Sequence, residues 1–413
     1  MRSLGSSKLL WTRTPEVTAG PSHPPIRQEI PPDREDGSSS WVHQALIFTG
    51  KLGETPPVLL IPLLMGVILL TSRLWPARRW IAGSTALLFY LLDWGTLTLL
   101  PAKSRSWGPV TPSLLGLMIV RFGLYASGLA LRHVPLGLPL ILLAQAILSG
   151  VVFYATWIEP FHVVITRQTL ALDAGPVNKP MRMLQLSDIH FEGPSPREAS
   201  VLRAVASLKP DLIVLTGDYL NLSSVYDPDA QAGLRTFLSQ LHAPLGIYAI
   251  PGSPPVDVPE IVPEVLSELP IHWLDDEATA IETEGQTLWL MGVRTSYRID
   301  RDRAALNELI DQAPSEGARI LLYHTPDLMP YLTDAMKIDL YLCGHTHGGQ
   351  IRLPLYGAVA TSSRGGKRYE QGPYREGRTT LYVSRGLGLE GLGAPRARFL
   401  APPELILWEL TSP

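Results

Sequence analysis

Four long apolar stretches follow one another in the first part of the chain. Each has at most one charged residue, and they cover Thr55–Ser72, Trp80–Ala102, Ser106–Leu131 and Val134–Ile158. A helix needs about 20 mostly apolar residues to cross a bilayer. Four buried helices of a soluble bundle would show a polar face, which these stretches lack. The pattern therefore predicts four transmembrane helices within residues 55–158.

Two charged residues interrupt the apolar stretches. Asp93 lies eight residues before Pro101, and Arg121 lies nine residues after Pro112. In an antiparallel helix pair joined by the intervening loop, both would lie at a similar depth, where an unpaired charge is costly. We expect an ion pair within the membrane. A polar site for a lipid headgroup is the alternative. A third interpretation, a transporter with a cytosolic regulatory domain, is supported by these two residues alone.

Residues 1–54 are rich in proline, serine and charge, with Pro24-Pro25, Pro31-Pro32 and Ser38-Ser39-Ser40. This composition predicts a flexible tail, because too little apolar surface is available for a core. Within it, Trp41–Phe48 could form a short helix at the membrane interface. Trp41 and Trp157 suit the aromatic belt positions at the ends of spanning helices.

From residue 159 onwards, strand-like and helix-like segments alternate. Phe161–Leu172 alternates apolar and polar residues as a strand does, whereas Arg197–Leu208 and Ala230–Leu241 have helical spacing and lie between apolar strands. Such alternation is typical of a layered α/β domain. We therefore predict an α/β domain over residues 159–413.

Four apolar strands of this region each run into acids or histidines. The polar residues are Asp188 and His190, then Asp218, then His324, and finally His345 and His347 in a GHTHGGQ turn. Ligands collect at the carboxyl ends of strands in open α/β sheets. Imidazole and carboxylate together favour Mn, Fe or Zn over Ca or Mg. A pair of such ions can clamp a phosphate and activate water.

In these motifs the chain resembles a calcineurin-like metallophosphoesterase, of the membrane-associated bacterial branch related to lipid A precursor hydrolases. The resemblance runs from about Phe161 to the C-terminus and is carried by LSDIH, PDLIVLTGDY, GIYAIPG, ILLYHTPD, DLYLCGHTHGGQ, LYVSRGLG and PPELILWEL. It implies two sheets packed face to face and flanked by helices. It also implies a hydrolase that acts on phosphoesters or pyrophosphates.

The resemblance further implies the ligands of two divalent metal ions. One would be held by Asp188, His190, Asp218 and His347. The other would be held by Asp218, His324 and His345, so that Asp218 bridges the pair.

One motif departs from the family pattern. After the strand Ile247–Ile250 the family has Gly-Asn-His, whereas this chain has Gly252-Ser253-Pro254. In the family the Asn binds the second metal, and the His contacts the phosphate or protonates the leaving group. Ser253 is shorter and would weaken the second site, and Pro254 carries no proton. No catalytic acid is therefore assigned, and a metal-binding pseudoenzyme that senses or scaffolds is the alternative to an enzyme.

The composition of the chain bears on which kinds of partner it can bind and on its compartment. The net charge of −3 and the pI near 6.4 show no excess of basic residues of the kind that binds a nucleic acid. The mean hydropathy of +0.12 fits a membrane segment. A single cysteine, Cys343, rules out an internal disulfide and fits a reducing compartment; a small buried strand residue is its expected role.

The charges between the apolar stretches bear on topology. Arg73, Arg78, Arg79 and Arg132 favour the first and third loops inside, whereas Lys51, Lys103, Arg105, Arg167 and Lys179 favour the opposite arrangement. We predict an integral protein of the cell membrane with a cytosolic phosphoesterase domain. Its partners would be the bilayer and a phosphorylated, lipid-linked substrate. We expect Arg364, Lys367 and Arg368 to lie in a solvated loop, with phosphate or anionic lipid as the alternative ligand.

Overall fold

The computed structural model describes residues 49, 52–53, 55–131, 134–172, 180–283, 286–314, 316–389, 393 and 395–412. These residues all belong to one compact unit. The predicted tail, the helix Trp41–Phe48 and the belt position of Trp41 lie almost wholly outside the described residues.

The N-terminal part of the described chain consists of long apolar helices. They are α1 Ile61–Leu74, α2 Arg79–Ala102, α3 Val110–Ser127 and α4 Gly137–Phe153. Together with short turns at their ends, they form four segments that are long and apolar enough to cross a membrane: Pro57–Leu74, Pro76–Ala102, Val110–Leu131 and Gly137–Phe161. The prediction of four such helices is confirmed.

A buried ion pair joins three of these helices. Arg121 on α3 donates through Nε to Asp93 Oδ2 on α2 at 2.5 Å and through Nη2 to Asp93 Oδ1 at 2.6 Å. It also donates to Gln145 Oε1 and Ser149 Oγ on α4, each at 2.9 Å. Because both charges are buried, loss of either one would leave the other without a counter-charge, which is strongly destabilising. The predicted Asp93–Arg121 pair is confirmed.

The C-terminal part alternates strands and helices. The strands are β1 Val164–Ala171, β2 Met181–Leu186, β3 Leu212–Leu215, β4 Ile247–Ala249, β5 Ile271–Trp273, β6 Glu277–Thr283, β7 Gln286–Gly292, β8 Ala318–Leu322, β9 Ile338–Cys343, β10 Arg352–Leu353, β11 Gly357–Ala358, β12 Gly372–Glu376, β13 Thr379–Val383 and β14 Glu404–Thr411. The helices are α5 Pro196–Leu208, α6 Pro228–Leu238, α7 Val262–Ser267 and α8 Ile299–Gln312.

Most strands form two mixed sheets. One has the order β1-β14-β2-β3-β4-β5, in which only β14 and β2 pair antiparallel. The other has the order β12-β13-β9-β8-β7-β6, in which both outer pairs are antiparallel. β10 and β11 form a separate small hairpin. The inner parallel strands are apolar on both faces, as strands covered on both sides must be.

Alternate residues of each inner strand face different layers. Met183 of β2 and Leu342 of β9 lie in the core between the two sheets. Leu184 packs on the other face of its sheet against α5, α6 and α7, and Tyr341 packs with α8 outside the second sheet. This follows from the two-residue period of a strand. The predicted layered α/β domain with two packed sheets is confirmed.

The helical part and the α/β part are joined by direct contacts. α4 continues through a π-helical turn, Tyr154–Ile158, and a 3-10 turn, Glu159–Phe161. Glu159 Oε1 accepts from Ala401 N at 2.6 Å, and Arg398 N donates to Ala155 O at 2.8 Å. Arg105, in the loop between α2 and α3, donates to Trp157 O at 2.8 Å. This second loop therefore lies on the same side of the helices as the α/β domain.

Candidate metal centre

The six predicted ligand residues come together at one edge of the two sheets. Asp188 and His190 follow β2, Asp218 follows β3, His324 follows β8, and His345 and His347 follow β9; His345 is half-buried and the other five are buried. They form two groups, each with ligand atoms within 4.8 Å of one another: Asp188, His190 and His347 in one, and Asp218, His324 and His345 in the other.

Asp218 lies between the two groups. Its Oδ2 atom is 3.2 Å from His324 Nε2 in its own group and 3.5 Å from His190 Nε2 in the other. A single carboxylate at this place can contact an ion in either group. The position suits the bridging role that the family resemblance implies.

The backbone at these residues is unusual. Five of the six ligand residues have a positive φ: 48° at Asp188, 41° at His190, 58° at Asp218, 69° at His345 and 51° at His347. A non-glycine residue in the left-handed region costs about 1–3 kcal/mol and persists only where the surroundings enforce it. Such strain gathered in one place is typical of a functional site.

Two glycines allow the ligand loops to approach one another. A Cβ at Gly344 would lie 2.0 Å from Asp188 Oδ2, and a Cβ at Gly252 would lie 2.3 Å from Asp218 Oδ1. Both glycines immediately precede a residue of the site, His345 and Ser253. Because no side chain fits at these positions, glycine is required for the loops to bring their ligands into one cluster.

Burial and mutual charge set the pKa values of the acids and of His324. Burial alone would raise the pKa of Asp218, but the His324 imidazole outweighs it and holds that pKa well below its usual range. Burial likewise opposes the charge of His324, yet the Asp218 carboxylate raises the pKa of His324 to about 10. Burial raises the pKa of Asp188. Asp218 and His324 therefore form an ion pair when no cation is bound.

The pKa values of His345 and His347 shift in the opposite direction to that of His324. Burial lowers the pKa of His347 well below its usual value, and it also lowers the pKa of His345, with help from the neighbouring His324. Neutral imidazole is the form that binds a metal. His345 and His347 are therefore already in the ligand form at neutral pH.

The donor set fits a pair of divalent cations. His190 Nε2 lies 3.0 Å from His347 Nε2, and His345 Nδ1 lies 3.2 Å from His324 Nε2, so ring nitrogens converge within each group. Asp188 Oδ2 is buried and has no hydrogen-bond partner among the described residues. A buried carboxylate oxygen without a donor is costly unless a cation contacts it. Nitrogen and carboxylate donors together suit Mn, Fe or Zn.

Ser253 stands where the family resemblance implies an asparagine. Its Oγ lies 3.3 Å from Asp218 Oδ2, 3.2 Å from His324 Nε2 and 3.3 Å from His345 Nδ1. Its backbone N–H donates to Asp218 Oδ1 at 2.6 Å. The hydroxyl is thus inside the second group, whereas the half-buried ring of Pro254 next to it carries no donor.

Sequence reasoning missed Asp257, which supports the centre from beneath. Its carboxylate accepts from the backbone N–H groups of Gly252 at 2.7 Å, Asp218 at 2.8 Å and Tyr219 at 3.0 Å. Burial and the nearby Asp218 charge raise the pKa of Asp257 to about 7. Asp257 therefore ties the loop after β3 to the loop after β4. The available signal was an acid in the otherwise apolar and proline-rich stretch that follows Ser253.

Arg398 was also missed. Its side chain is fully buried, and its Nη2 lies 3.2 Å from His347 Nδ1. Nη1 donates to Ala401 O at 2.8 Å, and Nε donates to Gly388 O at 3.0 Å. The guanidinium thus fixes the His347 ring from behind and ties it to the C-terminal loops. Nothing in the local sequence separates Arg398 from the nearby Arg396.

Other residues raised by the sequence lie outside the two groups. His162, His242 and His272 belong to neither, and His272 stacks on Tyr248 with ring centroids 4.7 Å apart. Cys343 is buried in β9 within the core on the α8 side, which confirms its expected structural role.

Comparisons with known proteins agree with this geometry. Residues 181–253 match the family model for calcineurin-like phosphoesterases. The chain is 32% identical over 280 residues to the uncharacterized metallophosphoesterase YkuE of Bacillus subtilis, with 63% of this chain and 89% of that protein covered. It therefore belongs to the calcineurin-like phosphoesterase family.

Two further relatives have names that specify a reaction. The UDP-2,3-diacylglucosamine pyrophosphatase LpxG of Chlamydia trachomatis is 26% identical, over 64% of this chain and 94% of that protein. The phosphodiesterase YaeI of Escherichia coli is 28% identical, over 62% of this chain and 92% of that protein. The bacterial branch indicated by the sequence motifs is thus confirmed. The family uses a divalent metal pair, and the two groups described above supply ligands for such a pair.

Proposed function

We propose that this protein is a membrane-anchored, metal-dependent phosphoesterase. The observation that carries the proposal is the convergence of six acid and imidazole side chains in two adjoining groups, in a chain of this family. Asp188, His190, Asp218 and His347 would hold one divalent ion, and Asp218, His324 and His345 the other, as Mn, Fe or Zn. Such a pair supplies positive charge to phosphate oxygens and acidifies water.

The protein's own residues would position these ligands. Thr216 O lies 2.8 Å from His324 Nδ1, which directs Nε2 of that ring toward Asp218. Asp257 holds the Asp218 and Ser253 loops at a fixed separation through backbone hydrogen bonds. Partners of this kind orient metal ligands and tune their affinity.

The missing acid bears on which bond is hydrolysed. Pro254 has no proton to give, so a leaving group must depart as an anion or take its proton from water. A phosphate leaving group is stable as an anion at neutral pH, because its second pKa is about 6. An alkoxide is far more basic and needs a proton. We therefore expect a pyrophosphate bond to be cleaved in preference to an alkyl phosphomonoester.

The helices bear on where the substrate is found. We propose that residues 55–158 cross the cell membrane and that residues 159–413 form the phosphoesterase domain on its cytosolic side. A lipid-linked substrate is supported by the four apolar helices and by the relative named for a diacylated nucleotide sugar. A site tethered to these helices would remain near the lipid headgroups.

Hydrolysis of bis-p-nitrophenyl phosphate by the full chain in detergent with Mn²⁺ tests the proposal. We expect turnover that is lost on chelation and in His345→Ala but kept in His242→Ala, an exposed histidine outside the centre. The Ser253→Asn/Pro254→His variant should be assayed beside them. Turnover by that variant alone would contradict the proposal and would indicate a metal-binding module that has lost this chemistry.

A further inference from the structure

The hairpin β10–β11 carries apolar side chains into solvent. From His162 to the C-terminus, large apolar side chains are exposed at only seven of the described positions, and five of these lie on this hairpin or at Leu400. The five, here named the apolar patch, are Leu353, Leu355, Tyr356, Val359 and Leu400. Leu355 at the tip is fully exposed. Clustered exposed apolar residues mark a contact surface rather than ordinary surface composition.

The apolar patch is continuous with the fourth apolar helix. Phe399, next to Leu400, pairs with the start of the hairpin: Arg352 N donates to Phe399 O at 2.9 Å, and Phe399 N donates to Gln350 O at 3.0 Å. The Phe399 ring packs edge-on against Tyr154, with centroids 6.2 Å apart. Tyr154 belongs to the segment Gly137–Phe161 that is long and apolar enough to cross a membrane.

The depth of Tyr154 along that segment can be judged from its length. Its 25 residues would extend about 37 Å as a helix, more than the roughly 30 Å hydrocarbon core. The final turns would therefore lie among the headgroups, where Arg105 stacks on Trp157 and Phe161 at 5.3 and 4.6 Å. Tyr154 is three residues, or about 4.5 Å, nearer the bilayer centre than Trp157. Phe399 is thus held close to the edge of the hydrocarbon.

Cationic side chains lie beside the apolar patch. Lys367 Nζ lies 3.6 Å from the centroid of the Tyr356 ring and donates to Tyr356 O at 2.6 Å and Ala358 O at 3.1 Å. Arg364 and Arg368 on the same loop are exposed as well, and two of the three cations also have an acidic neighbour, Glu370 at 3.2 Å from Lys367 and Glu376 at 2.8 Å from Arg368. Apolar residues flanked by lysine and arginine are typical of surfaces that enter the interfacial layer of anionic membranes.

The hairpin is also attached to the metal centre. Arg352 Nη1 donates to Gly348 O at 2.7 Å, in the turn that carries His347. A Cβ at Gly349 would lie 2.3 Å from Ala358 Cβ, so the hairpin packs directly on this turn. Whatever the apolar patch contacts therefore fixes the direction in which the metal centre faces.

We propose that the apolar patch enters the headgroup layer of the same bilayer that the helices cross, and that Lys367 and its neighbouring arginines contact anionic lipid. The inference rests on the proposed membrane insertion and deepens the proposed function. It makes the bilayer a second support of the α/β domain and turns the metal centre toward phosphates at the membrane surface.

Site-directed spin labelling tests this, because Cys343 is buried and leaves an introduced cysteine as the accessible thiol. The full chain carrying Leu355→Cys would be labelled in nanodiscs containing phosphatidylglycerol. Gln240→Cys is the matched control. Gln240 is exposed and precedes the amino end of β4, whereas the metal centre lies at the carboxyl ends of the strands. We expect the label at 355 to collide more with oxygen than with a water-soluble nickel complex, and the label at 240 to do the reverse. Val359→Cys gives a second position on the patch.

Equal access of the nickel complex to the labels at 355, 359 and 240 would overturn the inference. Dipolar broadening at 355 that disappears with one protein per disc would also overturn it, because a second copy would then cover the patch. The measurement does not depend on turnover. An inactive protein with a lipid-exposed label would refute only the proposed activity, whereas an active protein with a water-exposed label would refute only this inference.

Discussion

The loop after β4 departs from the Gly-Asn-His pattern that the family resemblance implies. Ser253 still places an oxygen among Asp218, His324 and His345, while Pro254 removes a proton donor. The backbone of the loop remains fixed because Asp257 accepts from Gly252 and from the Asp218 loop. The departure from the Gly-Asn-His pattern that the resemblance implies therefore leaves the backbone geometry of this loop in place.

Restoring the missing donor should affect substrates unequally. We expect Ser253→Asn/Pro254→His to raise the rate for an alkyl phosphomonoester by about 10²–10⁴-fold, the usual range for proton transfer to a leaving group. The rate for a pyrophosphate should change much less, because its leaving group needs no proton. Rates for a series of aryl phosphates with rising leaving-group pKa would measure the difference. An equal gain across the series would show that the substitution improves metal binding instead.

The Asp218–His324 pair predicts a pH dependence for the metal-free protein. The pKa of His324 is raised to about 10 in the folded chain, above its ordinary value of 6.5. The imidazolium therefore stabilises the fold fully below pH 6.5, and this contribution is lost as the pH rises toward 10. Thermal unfolding of chelator-treated full chain from pH 6.5 to 10 should show a falling midpoint. The fall should be smaller in His324→Gln, and an identical fall in both proteins would contradict the assignment.

At the scale of single elements, the strands and the apolar helices place their polar residues differently. The inner strands are apolar and end in left-handed turns, which present Asp188, Asp218 and His345 at the sheet edge. The apolar helices instead contain a buried ion pair, between α2 and α3. A pair of this kind adds little stability over apolar packing but makes the loss of either partner costly.

Asp93→Asn should destabilise the helical part strongly. It leaves the Arg121 guanidinium buried without its counter-charge, which for buried pairs costs about 3–5 kcal/mol. Unfolding of the full chain by sodium dodecyl sulfate in mixed micelles would measure the free energy. The double variant Asp93→Asn/Arg121→Gln, which removes both charges, should recover much of the loss. An unchanged unfolding midpoint in the single variant would mean that water or lipid compensates the charge.

At the scale of the whole molecule, the α/β domain rests on the helices through more than the covalent link. Arg105 of the second loop, Glu159 and Arg398 all contribute contacts across this junction. The second loop and the C-terminal domain must therefore occupy the same side of any membrane that the helices cross. Lys103 and Arg105 in that loop favour the cytosol for this side, whereas Arg73, Arg78, Arg79 and Arg132 in the first and third loops favour the opposite.

Thiol accessibility in cells would test this orientation. In a bacterial host that expresses the full chain with Gln240→Cys, we expect an impermeant maleimide to label the protein only after permeabilisation. The natural chain, whose one cysteine is buried, controls for background labelling. Labelling of intact cells would place the phosphoesterase domain outside.

The sequence by itself determined the features that depend on local pattern. Runs without charge predicted the four helices, and apolar runs ending in Asp188, Asp218, His324 and His345 predicted strands with ligands at their ends, because both signals lie within one segment. The family resemblance supplied the expected roles of those residues. The Asp93–Arg121 pair was also predictable, since two helices joined by one loop have few possible registers.

The tertiary structure decided what depends on the order of strands in two sheets. It placed Asp218 between two groups of ligands and Ser253 inside one of them. It brought Asp257 into contact with the Asp218 backbone and Arg398 into contact with the His347 ring, although neither lies in a distinguishing motif. It also placed Leu355 and its neighbours beside the last turns of the fourth helix, through Phe399 and Tyr154. These contacts join residues far apart in the chain, so no local pattern encodes them, and only the packing of the sheets and helices makes them neighbours.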